Sequence, residues 1–187
     1  MRKIVISLAS VMFALGSMLP LRAASLAGVT LPDTQQLGST TLVLNGLGLR
    51  TKYMLKIYVA GLYVQQKSQD PKVLLTTEAP KRLIMQFVRG LSRNRVADAF
   101  HEQFEDNSPD AMKTMKADID RFLGALEPVK EGDQMNFTYV PGAGTTVALN
   151  GKEKLTVAGQ GFATVLFSVW LGPKPPTEDL KKGLLGL

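Results

Sequence analysis

The sequence predicts an α+β fold in which a large antiparallel sheet carries helices on one face. Three observations predict this class. Strand patterns dominate residues 40–88, two helical patterns follow in residues 92–126, and strand patterns return in residues 134–157 before an almost wholly apolar helix. Runs of strands and runs of helices that do not alternate regularly are typical of α+β folds. Residues 25–187 are long enough for one domain with a sizeable core.

The first 24 residues have the pattern of a secretory signal peptide. Arg2 and Lys3 make a basic start, residues 4–19 are almost wholly apolar, and small residues follow Pro20. This apolar run is short for a membrane span, which needs roughly 20 residues. We therefore expect cleavage between residues 23 and 27 and an exported protein, periplasmic or secreted. The alternative is a retained membrane anchor.

The composition of the remaining chain argues against several classes of protein. Of the 22 basic residues, Arg2, Lys3 and Arg22 lie in the leader. The remaining chain has 19 basic and 16 acidic residues. This small excess does not indicate nucleic-acid binding, which needs a clustered basic face. Nothing after residue 24 is long and apolar enough to span a membrane, so we expect no stable membrane insertion after cleavage. The chain has no cysteine and, at this length, needs no disulfide. The oligomeric state stays open.

The predicted sheet begins near residue 40. Thr40–Leu44 has a strand pattern, and Asn45-Gly46 followed by Gly48 predicts a turn. Residues 50–64 are rich in Tyr, Ile, Val and Leu and predict one long strand or two. The alternation in this segment is loose, which indicates that both faces are partly buried.

A short helix, one more strand and two helices follow. The helix is predicted over Asp70–Thr77 and the strand over Lys81–Val88. The side chains on one face of that strand are Leu83, Met85 and Phe87. Ser92 is a suitable N-cap for a helix that ends near Phe104. Ser108-Pro109-Asp110 then predicts the start of an amphipathic helix that continues to Leu126.

The chain then returns to strands and ends in helices. The predicted strands are Gln134–Val140, Thr145–Leu149 and Lys154–Val157. Asn150-Gly151 between the last two is the strongest short hairpin signal in the sequence. Phe162–Leu171 is apolar almost all round and predicts a buried helix. Thr177 is predicted to cap a final short helix that ends at Gly183.

Most kinds of catalytic equipment are missing from the sequence. There is no cysteine nucleophile, and His101 is the single histidine, so a histidine metal cage is excluded. His101 lies one position from the apolar stripe of its helix, where an exposed histidine is the expected outcome. The glycine-rich segment Gly142-Ala143-Gly144 lacks the lysine and helix of a phosphate-binding loop. We expect no metal and no cofactor.

Arg50 and Tyr58 are the residues with the clearest chemical potential. Arg50 opens a strand-rich segment, and Tyr58 follows eight residues later in an apolar stretch. On one continuous strand this even spacing would place both side chains on the same face. A guanidinium beside a phenol in an apolar cavity suits the anionic head group of an apolar ligand. The alternative is a surface arginine beside a turn and an ordinary strand tyrosine.

Seven segments, in their order and spacing, carry a family resemblance. They are Leu44–Lys52, Lys56–Val64, Pro80–Met85, Tyr139–Thr145, Asn150-Gly151, Phe167–Gly172 and Leu180–Gly186. Together they resemble the chalcone isomerase superfamily, and most closely its bacterial chalcone isomerase-like branch. The resemblance covers about residues 28–187. It implies an open-faced sandwich, a large antiparallel sheet with helices over one face and a ligand cleft between them.

The resemblance also implies roles for individual residues. Arg50 matches the arginine of the family's cleft, and Tyr58 resembles the tyrosine that fatty-acid-binding members pair with it. The true isomerases have a threonine there, and their catalytic tyrosine falls at Val96, which has no hydroxyl. Their cleft asparagine falls near Gln103, and a later threonine or serine falls near Ser168. The implied ligand-binding residues are Arg50, Tyr58, Gln103 and Ser168, and isomerase activity is not expected.

Three functions remain open at this point. The first is non-catalytic binding of a fatty acid or a similar small amphipathic anion between sheet and helices. The second is an intramolecular lyase or isomerase that acts on a chalcone-like or enone substrate, with Arg50 as electrophile and Tyr58 as proton donor. The third is a structural or partner-binding protein of the periplasm whose cleft is filled by its own side chains. A cavity beside Arg50 would separate the first two from the third.

Overall fold

The computed structural model describes residues 23–187, which form nine strands and six helices. The predicted signal peptide lies outside this range except for its last two residues. The strands are β1 Ala23–Leu26, β2 Val29–Pro32, β3 Thr34–Leu37, β4 Thr40–Lys52, β5 Leu55–Val64, β6 Lys81–Phe87, β7 Gln134–Val140, β8 Gly144–Leu149 and β9 Lys152–Val157. The helices are α1 Pro71–Thr76, α2 Arg93–Asn107, α3 Ala111–Thr114, α4 Lys116–Ala125, α5 Gln160–Leu171 and α6 Glu178–Leu185.

Strands β3 to β9 form one antiparallel sheet in which each strand pairs with its neighbours in the chain. All six helices contribute buried side chains to a single core on one face of this sheet. The predicted α+β class and the open-faced arrangement are therefore confirmed. Strands β1 and β2 form a separate hairpin that packs on the opposite face, over a smaller cluster that includes Val59, Tyr63 and Ile84. The first three strands were not predicted.

An aromatic cluster forms the centre of the main core. Phe100 of α2 lies 5.0 Å from Phe122 of α4 and 5.7 Å from Phe137 of β7, measured between ring centroids. Trp170 of α5 lies 5.9 Å from Phe100. These edge-to-face contacts join helices and sheet with a favourable aromatic geometry. Helix α5 is buried over almost its whole length, as its apolar sequence predicts.

The turn predicted at Asn45-Gly46 and Gly48 is wrong. Strand β4 continues through these residues with a register shift beside Asn45. The two glycines serve packing instead, because a Cβ on Gly46 would lie 2.1 Å from the carbonyl oxygen of Gly183 and one on Gly48 2.3 Å from that of Leu180. Helix α6 therefore lies directly on the backbone of β4. Residues 50–64 divide between two strands, and the turn joining them lies at Tyr53 and Met54.

Two helix boundaries also differ from the prediction. The helix expected from Ser108 to Leu126 is interrupted at Met115, which has a non-helical backbone and whose side chain reaches Gly161 of α5. The last helix is capped by Thr177 as predicted, but it continues past Gly183 to Leu185. Gly183 contacts β4 within the helix, so its small size answers a packing need. The hairpin turn at Asn150-Gly151 is confirmed.

Candidate functional site

A cleft of about 490 Å³ opens between the sheet and helices α2 and α5. Its walls come from β4, β5 and β6 on one side, and from α2, the end of α5 and the segment before α6 on the other. Ligand pockets usually have volumes of roughly 300–1,000 Å³, so the cleft is large enough for a small molecule. The third function requires a cleft filled by its own side chains, but the structure has an open cleft beside Arg50.

Arg50 and Tyr58 both line this cleft and lie directly opposite each other. They form a cross-strand pair between β4 and β5. Cross-strand partners in an antiparallel pair project their side chains on the same face. The two residues therefore share a face through a hairpin, whereas the sequence argument assumed one continuous strand. A register shift between Arg50 and Thr51 interrupts the regular pairing next to these two residues.

The Arg50 guanidinium is held at the cleft by two main-chain carbonyl groups. Its Nη1 donates to the oxygen of Thr51 at 2.7 Å and to that of Pro176 at 2.6 Å. Within residues 23–187, neither Nε nor Nη2 of Arg50 has a protein hydrogen-bond partner. The arginine is thus held through one nitrogen, and its other two nitrogens have no protein partner among these residues. Because it is partly buried, the surface alternative for Arg50 does not hold.

The Tyr58 hydroxyl is prepared to donate a hydrogen bond. Only 7% of Tyr58 is exposed, and its oxygen accepts a hydrogen bond from Nε1 of Trp170 at 3.1 Å. Burial raises the pKa of Tyr58 to about 12, although the Trp170 hydrogen bond and the Arg50 charge act in the opposite direction. The phenol is therefore protonated at neutral pH. Since Trp170 supplies a donor to the oxygen, the O–H remains for an acceptor in the cleft.

The rest of the inner wall is mostly apolar. It includes Met85 and Phe87 of β6 and, from α2, Val96 and Phe100. The ring of Phe87 packs edge-on against that of Tyr58, with centroids 5.8 Å apart. Val96, which resemblance places where the isomerases have a catalytic tyrosine, lines the cleft and contributes no hydroxyl there. This wall suits the hydrocarbon part of a ligand.

The outer part of the cleft is charged, with a basic excess. Besides Arg50, the basic residues that line it are Lys52, Arg89 and Arg95, and the acidic residues are Asp98 and Glu102. All five of these outer residues are exposed. Four positive charges against two negative ones favour an anionic ligand in the cleft.

Of the other two predicted site residues, Gln103 lines the cleft and Ser168 does not. The Gln103 amide, with the NH₂ group as donor, bonds to the carbonyl oxygens of Val169 at 3.1 Å and Lys174 at 3.0 Å. The Ser168 hydroxyl lies 3.1 Å from that of Ser108 and donates to the carbonyl oxygen of Val165 at 2.7 Å. Gln103 therefore acts as a tie between helices, and Ser168 belongs to the interior of the helical layer.

Sequence reasoning did not identify Trp170 as part of the site. Its position in a long apolar run is typical of a core residue, and only its contact with Tyr58 marks it as a cleft residue. His101 is exposed as expected, 3.6 Å from Glu105, and does not line the cleft. Residues 23–187 contain no cluster of acidic or histidine side chains arranged to hold a metal ion. None of the helices among these residues combines the length and hydrophobicity needed to cross a membrane.

A buried cation lies outside the cleft. Lys81 at the start of β6 is only 4% exposed, and its Nζ donates to the carbonyl oxygen of Leu74 at 2.5 Å. The same ammonium group lies 5.6 Å from the ring centroid of Tyr139 and 5.7 Å from that of Phe167. Burial lowers the pKa of Lys81 to about 8. Carbonyl and aromatic groups thus take the place of an acidic partner for this charge.

Comparison with known proteins is consistent with this geometry. A family model described as chalcone isomerase-like matches residues 23–186. The fold is similar to the crystal structure of a fatty-acid binding protein from Arabidopsis thaliana, with a TM-score of 0.67 and 16% sequence identity. That match covers 88% of this chain and 96% of the plant protein. No protein of curated function matches the sequence. At this identity, the structural likeness shows a shared fold.

Proposed function

We propose that this chain, which belongs to the chalcone isomerase-like family, binds a fatty acid or a similar small amphipathic anion and does not convert it chemically. The observation that carries the proposal is the pair Arg50 and Tyr58 at an otherwise apolar cleft. The fatty-acid binding protein of similar fold adds support. In this proposal the ligand's carboxylate lies at the pair and its hydrocarbon chain lies along the apolar wall.

The chemistry of the pair favours a carboxylate over a neutral head group. The free Nε and Nη2 of Arg50 can donate two parallel hydrogen bonds to the two carboxylate oxygens, and charge-assisted bonds of this kind are the strong ones. The Tyr58 O–H supplies a third donor. Burial of each methylene group contributes about 0.8 kcal/mol, so an acyl chain adds affinity even after its ordering cost.

Trp170 offers a direct test, because it is the single tryptophan of the chain and lines the cleft. Fatty acids brominated along the chain should quench its fluorescence at saturable concentrations. The fatty alcohol of equal length, with the same bromination, should bind at least roughly tenfold more weakly because it lacks the charge. Native mass spectrometry of the purified protein should show a co-purified lipid.

Arg50→Met tests the head-group contact, and Arg121→Met is its matched control. Arg121 is exposed on α4 and pairs with Asp118, away from the cleft, so both variants lose one positive charge. We expect Arg50→Met to weaken fatty-acid binding roughly tenfold or more and Arg121→Met to leave it unchanged. Equal binding of acid and alcohol by the parent protein, or no quenching by either, would overturn the proposal.

An isomerase is less well supported than a binding protein. Val96 gives the cleft no hydroxyl at the position where the isomerases have their tyrosine, and the raised pKa of Tyr58 makes its phenol a weak acid. Ring closure of a chalcone by the parent protein, lost in Arg50→Met, would favour the enzyme instead.

We further propose that the protein is exported and belongs to the bacterial branch of the family, as the leader pattern in residues 1–24 and the resembling segments suggest. A cut after Ala23 would leave most of β1, which pairs Ala24 with Leu31 and Leu26 with Val29. A cut after Ala27 would remove the whole strand and expose part of the cluster under it. We expect the cut after Ala23, which mass measurement of the exported protein tests. A mass for the intact chain would contradict export by this route.

A further inference from the structure

The turn between β4 and β5 exposes large apolar side chains in succession. We call residues Lys52–Lys56 the hairpin tip. Tyr53 is 87% exposed, Met54 98% and Leu55 43%. Elsewhere in residues 23–187, only Val73 and Leu187 are large apolar residues with comparable exposure. Scattered single apolar residues are normal on a protein surface, but a cluster at one projecting turn marks an interaction site.

The residues of the tip are also unsuited to the backbone they adopt. Tyr53 and Met54 have φ angles of 50° and 64°, in the left-handed region that bulky side chains disfavour. The hairpin between β8 and β9 has the same kind of turn at Asn150 and Gly151, with φ angles of 51° and 76°. Asn-Gly is the usual choice for such turns. The chain therefore uses a favourable pair in one hairpin and an unfavourable, apolar pair in the other.

Positive charges lie within the tip and at the cleft mouth beside it. Lys52 and Lys56 flank the turn, and Nζ of Lys52 lies 5.9 Å from the ring centroid of Tyr53. Arg89 and Arg95 line the same cleft mouth as Lys52 and Tyr53. Two acidic residues line that mouth as well, so its charge is a basic excess and not uniformly positive. An exposed aromatic ring and an aliphatic side chain flanked by two lysines match the boundary between anionic head groups and acyl chains of a bilayer.

We propose that the hairpin tip docks on the surface of a lipid bilayer that contains anionic phospholipids. Tyr53 and Met54 enter the head-group boundary, and Lys52 and Lys56 contact phosphate groups. Since Lys52, Tyr53 and Leu55 also line the cleft, docking turns the cleft mouth towards the lipid. A fatty acid then passes between bilayer and cleft without crossing open water. That passage rests on the proposed function, whereas the docking itself does not.

The chain itself suggests the variant that tests the docking. Tyr53→Asn with Met54→Gly gives this turn the pair found at residues 150–151, so the hairpin should form at least as well while its apolar side chains are gone. The protein recovered after export is sedimented with vesicles of equal parts phosphatidylcholine and phosphatidylglycerol, and with vesicles of phosphatidylcholine alone, without added fatty acid. The parent should bind the anionic vesicles preferentially. The double variant should bind them at least roughly tenfold more weakly than the parent.

A charge variant and two controls make the test specific. Lys52→Gln with Lys56→Gln should weaken binding to anionic vesicles roughly tenfold. Lys72→Gln with Lys113→Gln removes two exposed lysines outside the tip, and Val73→Gln removes an exposed apolar side chain from α1. Both controls should bind vesicles as the parent does. Thermal unfolding of the turn variant at or above the parental temperature shows that it is folded.

The outcomes separate this proposal from the fatty-acid proposal. Equal sedimentation of the parent and the turn variant, or none for the parent, would overturn the docking even if dissolved fatty acid still quenches Trp170 in both. A parent that is a dimer in solution while the turn variant is a monomer would assign the tip to a second copy of this chain, and that result would also overturn it. Vesicle binding that persists when Arg50→Met no longer binds fatty acid would support docking alone.

Discussion

Removal of the Tyr58 hydroxyl tests the site with two separate readouts. Tyr58→Phe keeps the ring that packs against Phe87 but deletes the O–H offered to the ligand and the oxygen that accepts from Trp170. A hydrogen bond to a charged group contributes about 1.5–3 kcal/mol, so the affinity for a fatty acid should fall roughly tenfold to a hundredfold. Titration of Trp170 fluorescence with brominated fatty acid measures this change.

The same substitution should also lower stability. The buried Nε1 of Trp170 loses its acceptor, and a buried donor without a partner costs about 1–3 kcal/mol. For a domain of this size, the melting temperature falls by roughly 2–4 °C for each kcal/mol. Calorimetry or thermal circular dichroism at neutral pH measures this loss.

Tyr63→Phe is the matched control on the same strand. Tyr63 is a buried tyrosine of β5 whose hydroxyl donates to the carbonyl oxygen of Pro32 at 2.8 Å, and burial raises its pKa to about 12 as well. Its side chain lies in the cluster on the opposite face of the sheet, so its loss should reduce stability and leave affinity unchanged. Unchanged affinity in Tyr58→Phe would refute the assigned role of the phenol. Equal losses of affinity in both variants would point to distortion of β5 instead.

Two further predictions concern the frame around the site. Gly48→Ala should destabilise the protein by about 1–3 kcal/mol or more, because its Cβ would meet the carbonyl oxygen of Leu180 at 2.3 Å. Gly124 lies in a helix with open space around it. Gly124→Ala should therefore stabilise the protein by up to about 1 kcal/mol in the same denaturation assay. Burial lowers the pKa of Lys81 to about 8. Between about pH 8 and the usual lysine pKa near 10, the unfolded chain therefore binds more protons than the native protein. This group makes the free energy of unfolding rise with pH across that window. Lys81→Met should flatten the rise in denaturant midpoint, and an unchanged pH slope in that variant would contradict the assignment.

Most of the sheet and helices follow from local patterns. The alternation in residues 81–88 and 134–140 predicted two strands, and Asn150-Gly151 predicted a hairpin, because these signals depend only on neighbours in the chain. Leu83, Met85 and Phe87, which the pattern placed on one face, all lie in the main core. The signal at Gly46 and Gly48 misled for the opposite reason. These two glycines allow the backbone of α6 to pack against β4. Helix α6 is more than a hundred residues away in sequence, so no local pattern contains this contact. The short strands of residues 23–37 carry too few alternating positions to predict.

The site was predictable in its chemistry but not in its geometry. Arg50 and Tyr58 were selected because their side chains suit an anion, and the structure places them together through a hairpin turn at Tyr53 and Met54. That turn has none of the residues that usually predict one, so sequence analysis could not find it. The family resemblance implies Ser168 as a site residue, but its hydroxyl contacts Ser108 and Val165 in the interior of the helical layer.

The candidate site depends on the packing of α6 on β4. The segment that leads into α6 supplies the Pro176 carbonyl that holds Nη1 of Arg50 at 2.6 Å, and α6 can approach β4 only because Gly46 and Gly48 have no side chain. A methyl group at Gly48 would push α6 outward, and we expect the segment with Pro176 to move with it. Gly48→Ala should therefore weaken fatty-acid binding at temperatures where the variant is still folded, whereas Lys81→Met, whose side chain lies away from the cleft, should change stability without changing affinity. Normal affinity in folded Gly48→Ala would contradict this link between the packing of α6 and the position of Arg50.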